Sequence, residues 1–345
     1  MVEIVDPRAI PDWNERMLEF EGYSIFYSSN WAQVLCEAYG YKPLYFTLTE
    51  GNKFVGVLPV LEVDSFITGR RGVSLPFTDT CEPLVRDEKV FESLLEAVRT
   101  HAKKNRWKYI EVRGGDRFFG DDTTPSSVFY EHRLPVVAAK SEEWLKKLQG
   151  ATRRNINRSV REGITSETSQ SLEAIEAFYN LNCLTRKRHG LPPQPLNFFR
   201  KLHELIIQKD LGFVVNACFE GEVVASGVFL HFGDHIIYKY GASDFNYKKK
   251  RHNYAMFWQA MDSAYEKGLK NMSLGKTTTN NDGLRRFKLA WGAEEREVGY
   301  YKYSIKENQY VESHDQVEGF HNSIFRNMPN PLLKLAGNLA YKHIA

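Results

Sequence analysis

The sequence predicts a mixed α/β (α+β) protein of two similar domains, each a mixed, twisted sheet flanked by helices. Its 345 residues suffice for about two domains, and 42% are hydrophobic, so each half can bury its own core. A hairpin, a helix and a further strand also recur in the same order after roughly 165–170 residues, too long for a solenoid repeat. The matching turns carry Glu50-Gly51 and Glu220-Gly221. These observations indicate a duplicated α/β plan.

The first half, residues 1–140, is predicted to form the first domain. β-rich runs on both sides of Glu50-Gly51-Asn52 predict a hairpin over residues 42–62. Apolar residues recurring every three or four positions predict a helix over residues 88–104. A strand is expected next, over residues 109–112.

Residues 141–310 are predicted to form the second domain, and 311–345 a helical tail. The same order of elements returns here, ending with a glycine that stops the helix. The predicted elements are strands at 213–219, 223–232 and 235–240, a helix at 254–267 and a strand at 272–274.

A basic helix is predicted to link the halves over residues 141–162, with Ser141 as its N-cap. Arg154, Arg158 and Arg161 follow the i, i+4, i+7 spacing that stacks side chains along one side of a helix. That side can hold an anion. An ordinary solvated charged face is the open alternative.

Composition and motifs exclude several classes of protein. A net charge of +3 is too small for a general nucleic-acid coat. Gly268–Thr277 does not have the glycine spacing of a phosphate-binding loop, and neither a dinucleotide fingerprint nor a nucleophile elbow occurs. His231 and His235 lie in a β-like setting with no evident carboxylate partner, so we expect no metal site. No run approaches the ~20 apolar residues of a membrane span, and no export signal precedes the first domain, so we expect a cytoplasmic protein.

Five segments, in this order and spacing, carry a resemblance to a known family. They are RRNINRSVREG (153–163), LTRKRHGLPPQP (184–195), YKYGAS (238–243), NY (253–254) and GLRRFKLAWGA (283–293). Over about residues 40–310 the chain resembles the Fem-like acyltransferases of the GNAT superfamily, which include peptidyltransferases that add amino acids to cell-wall precursors. The resemblance implies a tandem pair of GNAT domains.

It also implies an activity. An acyl or aminoacyl group would pass from an activated carrier, acyl-CoA or aminoacyl-tRNA, to an amine of a cell-envelope precursor, giving an amide. The acceptor would be a peptidoglycan-type peptide, an amino sugar or an exopolysaccharide unit. No tightly bound cofactor is implied. The alternative is a non-catalytic GNAT-fold module that binds a nucleotide-sugar or a lipid-linked glycan.

The resemblance further implies roles for residues of the second half. Lys288 matches the lysine at which the family motif is centred, and a cation there stabilises developing negative charge. Arg188, followed by His189, matches an arginine that holds a precursor phosphate. Tyr240 and Ser243 match a strand end that faces the acceptor groove, although packing and turn capping are open alternatives.

The donor loop departs from the usual glycine-rich pattern of coenzyme A users. We expect cations and an amide to bind donor phosphates instead: Lys249, Lys250, Arg251, Asn253 and Lys276. Such a loop fits a larger polyanion, such as the acceptor end of a charged tRNA, but the modest net charge leaves the donor open.

Further substrate contacts are expected at four other positions: Arg154 and Arg158 on the basic helix, and Phe77 and Arg113 in the first domain. For Arg113 an internal salt bridge near Glu111 is the alternative. Residues 326–345 carry three cations and no acid beside several leucines. This tail would either contact an anionic membrane peripherally or pack on the protein.

Overall fold

The structure is a computed structural model that describes residues 1–120, 122–138, 144, 146, 148, 150–312 and 321–344. Its strands are, in chain order, β1 (Val2–Val5), β2 (Lys42–Glu50), β3 (Lys53–Val63), β4 (Arg71–Val73), β5 (Leu84–Val85), β6 (Tyr109–Arg113), β7 (Ser127–Pro135), β8 (Thr165–Ser169), β9 (Gly212–Phe219), β10 (Glu222–Phe232), β11 (His235–Ser243), β12 (Asn271–Thr278), β13 (Glu294–Ser304) and β14 (Gln309–Tyr310).

Its α-helices are α1 (Trp13–Met17), α2 (Ser29–Tyr39), α3 (Glu88–Lys104), α4 (Gly150–Arg161), α5 (Leu172–Arg188), α6 (Leu196–Leu205), α7 (His252–Glu266), α8 (Asp282–Leu289), α9 (His321–Asn327) and α10 (Asn330–Ala340). A 3-10 helix at Phe245–Lys250 precedes α7, and another at Tyr341–His343 follows α10.

The chain divides into two compact units. Unit 1 contains residues 1–130, 297–316 and 339–345, and unit 2 contains residues 131–296 and 317–338. The sequence-based division placed 297–310 in the second domain and 311–345 in a separate tail. In the structure, residues 297–304 of β13 belong to unit 1 because they pair with β6.

Unit 1 is built around an antiparallel sheet in the order β1-β2-β3-β4, to which β6 is added in parallel to β4. The hairpin of β2 and β3 turns at residues 51–52, as predicted. Helix α3 begins at an Asp87 cap, whose carboxylate accepts the Val90 amide N–H at 3.0 Å. It packs Phe91, Leu94 and Val98 into the core of this unit.

Unit 2 repeats this arrangement. Strands β8, β9, β10 and β11 are antiparallel neighbours, and β12 is parallel to β11. Helix α7 lies between β11 and β12 in the chain, and α3 lies between β5 and β6 at the corresponding place in unit 1. Each unit therefore has an antiparallel run that ends in one parallel pair. The predicted mixed α/β fold with a duplicated plan is confirmed.

Within the predicted basic helix, α4 spans Gly150–Arg161, and Trp144 and Lys146 are also helical. Ser141 and its neighbours 142–143 lie outside the described residues. Ile156 packs into the core of unit 2, whereas Val160 is 68% exposed. The hydroxyl of Thr152 donates to the Ala290 carbonyl at 3.0 Å and so ties α4 to the end of α8.

His231 gives unit 2 a sensitivity to acid. This β10 residue is only 9% exposed, and burial and the nearby Lys267 charge lower its pKa to about 4, against the opposing effect of Asp210. Below about pH 6.5 the histidine binds a proton in the unfolded chain but not in the folded one. The free energy of unfolding therefore decreases as the pH is lowered. We expect a loss of about 3 kcal/mol by about pH 4, at about 1.4 kcal/mol per pKa unit.

Substituting His231→Gln should flatten this dependence when urea unfolding is measured between about pH 7 and about pH 4.5. The matched control is His235→Gln, at a half-buried position on β11. An unchanged slope in His231→Gln would show that other groups cause the acid sensitivity.

None of the helices in the described parts of the chain combines the length and the apolar character that a membrane crossing requires.

Candidate functional site

The parallel strands β11 and β12 pair at their N-terminal ends and diverge towards their C-terminal ends. They pair only at His235–Ile237 against Asn271–Ser273. Beyond these positions β11 continues to Ser243 along β10, while β12 continues to Thr278 without pairing to β11. The facing backbone edges of residues 238–243 and 274–278 are therefore not hydrogen-bonded to each other.

A local feature on each strand accounts for this divergence. On β11, Val228 of β10 faces Tyr240 and Phe229 faces Tyr238, so Lys239 is an extra residue in a β-bulge. A bulge bends its strand and increases the twist. On β12, Gly275 has a φ of 69°, a left-handed conformation that interrupts the extended backbone two residues after the last pair.

Lys288 lies at the point where β12 departs. Its side chain is buried, and its ammonium donates to the Gly275 carbonyl at 2.8 Å and the Lys276 carbonyl at 3.2 Å. Phe287 and Trp291 bracket it on the chain and pack against α7, with 4.5 Å between the ring centroids of Trp291 and Phe257. The FKLAWGA string thus anchors α8 by its aromatic rings and turns the lysine towards the strand end.

A second polar group, which the sequence did not indicate, lies close to this lysine. His132 of β7 is fully buried, and its Nε2 is 2.9 Å from the Glu295 carboxylate. Arg285 donates to both oxygens of Glu295, at 2.7 and 2.6 Å, and this lowers the carboxyl pKa. Burial and the Lys288 charge lower the pKa of His132, so the imidazole is neutral near pH 7.

The end of β11 is fastened to the end of α5. The Thr185 hydroxyl accepts the Ser243 amide N–H at 3.1 Å and donates to the Ser243 carbonyl at 3.2 Å. Arg188 follows Thr185 by three residues, on the last turn of α5. Its guanidinium lies 4.9 Å from the ring centroid of Phe245, and the ammonium of Lys248 lies 3.8 Å from the same ring.

These contacts bring two predicted regions together, namely the cationic end of α5 and the basic loop before α7. We call Arg188, His189 and Lys248 the cationic site. Burial and the charges of Arg188, Arg186 and Arg326 lower the pKa of His189. Tyr240, by contrast, packs its ring among Phe178, Phe198 and Phe199, with 5.4 Å between its centroid and that of Phe199.

The other predicted donor-binding residues are arranged unequally. Lys249 is exposed, but Lys250 lies 3.7 Å from the Phe219 ring centroid and 3.6 Å from a Glu162 oxygen. Arg251 has a φ of 63° and is the N-cap residue that precedes α7, and Asn253 is half-buried in the first turn of this helix. Only Lys249 of this loop set therefore extends freely from the surface, and the half-buried Lys276 contributes its carbonyl to Lys288.

Arg154 and Arg158 lie on the exposed side of α4, as expected. Arg158 is 3.3 Å from Glu162, one helical turn away, so part of its charge is balanced. These side chains belong to a different surface element from the cationic site on α5.

Phe77 and Arg113 lie in unit 1. Arg113 is buried; its Nε donates to Glu111 at 2.7 Å and its Nη1 to the Leu75 carbonyl at 3.1 Å. These contacts favour the internal salt bridge over phosphate binding. Phe77 adopts a φ of 61° and packs its ring against Tyr39, with 5.0 Å between centroids.

Within the described residues, no group of three or more His, Cys, Asp or Glu side chains could hold a metal ion.

Comparison with known proteins places this geometry in a family. Residues 147–296 match the model described as an acetyltransferase (GNAT) domain, which includes the diverging strands, α7 and Lys288. Residues 147–296 are a GNAT domain. The predicted GNAT membership is thereby confirmed for this part of the chain, and the GNAT domain supports an acyltransferase. No curated protein matches this chain.

Solved structures share the fold of this chain over most of its length. The crystal structure of FemX has a TM-score of 0.69 at 14% identity, covering 89% of this chain and 98% of that chain. A tandem GNAT protein from the clavulanic acid biosynthesis pathway gives 0.58 at 10% identity, with 88% and 99% covered. The C-terminal domain of a putative lysylphosphatidylglycerol synthetase from Agrobacterium fabrum gives 0.52 at 13% identity, with 83% and 90% covered. The tandem, Fem-like fold is confirmed.

Proposed function

We propose that this GNAT protein is an N-acyltransferase or aminoacyltransferase that forms an amide on an amino group of a cell-envelope precursor. The proposal depends chiefly on the divergence of β11 and β12 next to the buried Lys288 ammonium. A linear activated carrier could lie between the two strands, along the backbone edges that do not pair with each other.

The reaction requires little chemistry from the protein beyond alignment and electrostatic stabilisation. The amine nitrogen attacks the carbonyl carbon of a thioester or ester, and the new C–N bond forms as the C–S or C–O bond breaks. The nitrogen loses a proton, and the departing thiolate or alkoxide gains one. Negative charge develops on the carbonyl oxygen between these events. A fixed ammonium at the end of β12 would lower the energy of that oxyanion.

The cationic site supports an anionic substrate group. Arg188 and Lys248 flank the exposed ring of Phe245, and Thr185 ties their helix to the end of β11. A guanidinium fork with an ammonium beside it suits a phosphate or diphosphate. We therefore assign the phosphate of the acceptor precursor to the cationic site of Arg188, His189 and Lys248, and donor phosphates to Lys249.

Two donor classes fit this site, acyl-CoA and aminoacyl-tRNA. One similar structure is described as a tandem GNAT protein without acetyl-CoA, and another as part of a putative lysylphosphatidylglycerol synthetase. The exposed, glycine-poor loop at 245–250 favours the larger polyanion, because side-chain cations reach several phosphates without close backbone approach.

Incubation with each donor pool separately tests the proposal. The purified protein is mixed with acyl-CoA or with aminoacyl-tRNA, together with a nucleotide-linked amino sugar or peptide as the acceptor. We expect mass spectrometry to show one pool discharged and the acceptor heavier by the acyl or aminoacyl group. Binding of the acceptor by calorimetry with no discharge of either pool would instead support the non-catalytic binding module.

A further inference from the structure

Helices α9 and α10 carry an apolar surface that does not pack on unit 2. Ile324, Leu332 and Leu335 are 47%, 54% and 52% exposed, and we call them the apolar ridge. Ile324 and Leu332 line one shallow hollow together with Met328 and Pro329. Single exposed leucines are common on protein surfaces, whereas a contiguous group of aliphatic side chains indicates a binding surface.

The opposite side of the same segment is fixed to the protein. Leu333 is buried, and Gly337 lies so close to the Pro193 carbonyl that a Cβ atom there would collide with it. In α9, the backbone of Asn322 also lies so close to Gly190 that a Cβ atom there would collide with it. The segment is therefore apolar on both sides, and packing on unit 2 accounts for only one of them.

Cations flank the apolar ridge along the chain. Residues 321–344 contain Arg326, Lys334 and Lys342 and no Asp or Glu. Exposed Arg326 lies near the end of α5, where its charge acts on His189 together with that of Arg188. Lys334 is on α10, and its ammonium lies 5.1 Å from the ring centroid of Tyr179 on α5. The cationic site thus borders the ridge within unit 2.

An apolar surface bordered by cations is complementary to one kind of partner. Aliphatic side chains enter the boundary between headgroups and acyl chains, and flanking Lys and Arg attract anionic headgroups. We propose that the apolar ridge docks this protein on the surface of an anionic lipid bilayer. Docking would bring the cationic site to the headgroup layer, where a lipid-linked acceptor presents its phosphates. This last step rests on the proposed function, but the docking does not.

Vesicle flotation tests the docking directly. The full chain is mixed with vesicles of phosphatidylcholine alone or of phosphatidylcholine with phosphatidylglycerol. We expect enrichment on the mixed vesicles, and a decrease when salt is raised from about 0.1 M to about 1 M. The double variant Leu332→Ser/Leu335→Ser should lower the partition coefficient roughly tenfold or more. Val160→Ser, which removes an exposed aliphatic residue from α4, is the matched control and should bind normally.

A charge variant separates the two contributions. Arg326→Gln should weaken binding to the mixed vesicles and leave the weak binding to phosphatidylcholine unchanged. Equal binding to both vesicles, or normal binding by the Leu332/Leu335 variant, would overturn the proposal. Size-exclusion chromatography with light scattering gives the oligomeric state of both proteins. If the variant binds vesicles normally but is a monomer where the unmodified protein is a dimer, a second copy of the chain covers the ridge.

The transfer assay makes failure of docking distinguishable from failure of the proposed function. With a soluble amine acceptor, the Leu332→Ser/Leu335→Ser variant should discharge the donor at the rate of the unmodified protein. If the variant loses vesicle binding but transfers the group normally, docking by the apolar ridge is supported. If the unmodified protein transfers the group but binds no vesicles, docking is overturned and the proposed function stands.

Discussion

Replacing Lys288 with methionine is expected to lower kcat for amide formation by about 10²–10³, with a smaller change in KM. Methionine keeps the apolar stem that packs in the buried site but removes the ammonium that binds the Gly275 and Lys276 carbonyls. The loss falls on kcat because the charge acts on the oxyanion, which exists only near the transition state. Steady-state kinetics with the donor identified by mass spectrometry gives both constants.

The same substitution has a structural cost that must be separated from the chemical one. Two backbone carbonyls lose their charged donor, and an unsatisfied buried acceptor costs about 1–3 kcal/mol. The free energy of unfolding of the variant in urea is therefore measured alongside its kinetics. Lys270→Met, which removes an exposed lysine immediately before β12, is the control and should leave both kcat and stability nearly unchanged. A folded Lys288→Met protein with normal kcat would exclude the electrostatic role.

Secondary structure was predictable where local signals agree with tertiary packing. Turns at Glu50-Gly51 and Glu220-Gly221 bound the hairpins of both units, and the spacing of apolar residues in α3 matches its buried face. The basic run at Gly150–Arg161 was predictable as the helix α4, because its arginines have helical propensity. The division into units could not be read from chain order, since the pairing of β13 with β6 joins residues far apart in sequence.

The candidate site was only partly predictable. Lys288, Arg188 and Ser243 lie in segments that resemble a family, and the structure positions all three in unit 2 at the ends of α8, α5 and β11. The pairing of His132 with Glu295 spans 163 residues and has no local pattern, so only the sheet brings the two together. The divergence itself depends on the bulge at Lys239 and on the left-handed Gly275, and a bulge leaves no signature in the composition of its strand.

Replacing Arg113 with methionine is expected to lower the free energy of unfolding of unit 1 by about 3–5 kcal/mol. Arg113 and Glu111 lie two residues apart on the same face of β6, and both side chains are largely buried. Removing the guanidinium leaves the carboxylate without its partner. It also removes the donor to the Leu75 carbonyl, which supports a turn where Leu75 and Phe77 have φ of 42° and 61°.

Two further variants distinguish this role from substrate binding. Arg113→Met/Glu111→Gln should recover part of the lost stability, because no uncompensated charge remains buried. Arg70→Met, which breaks an exposed ion pair with Asp64, should cost less than about 1 kcal/mol. A phosphate-binding arginine would behave differently: its loss would weaken acceptor binding in calorimetry and leave urea unfolding almost unchanged. Since the donors of Arg113 are directed at Glu111 and at backbone carbonyls of its own unit, we expect the loss of stability.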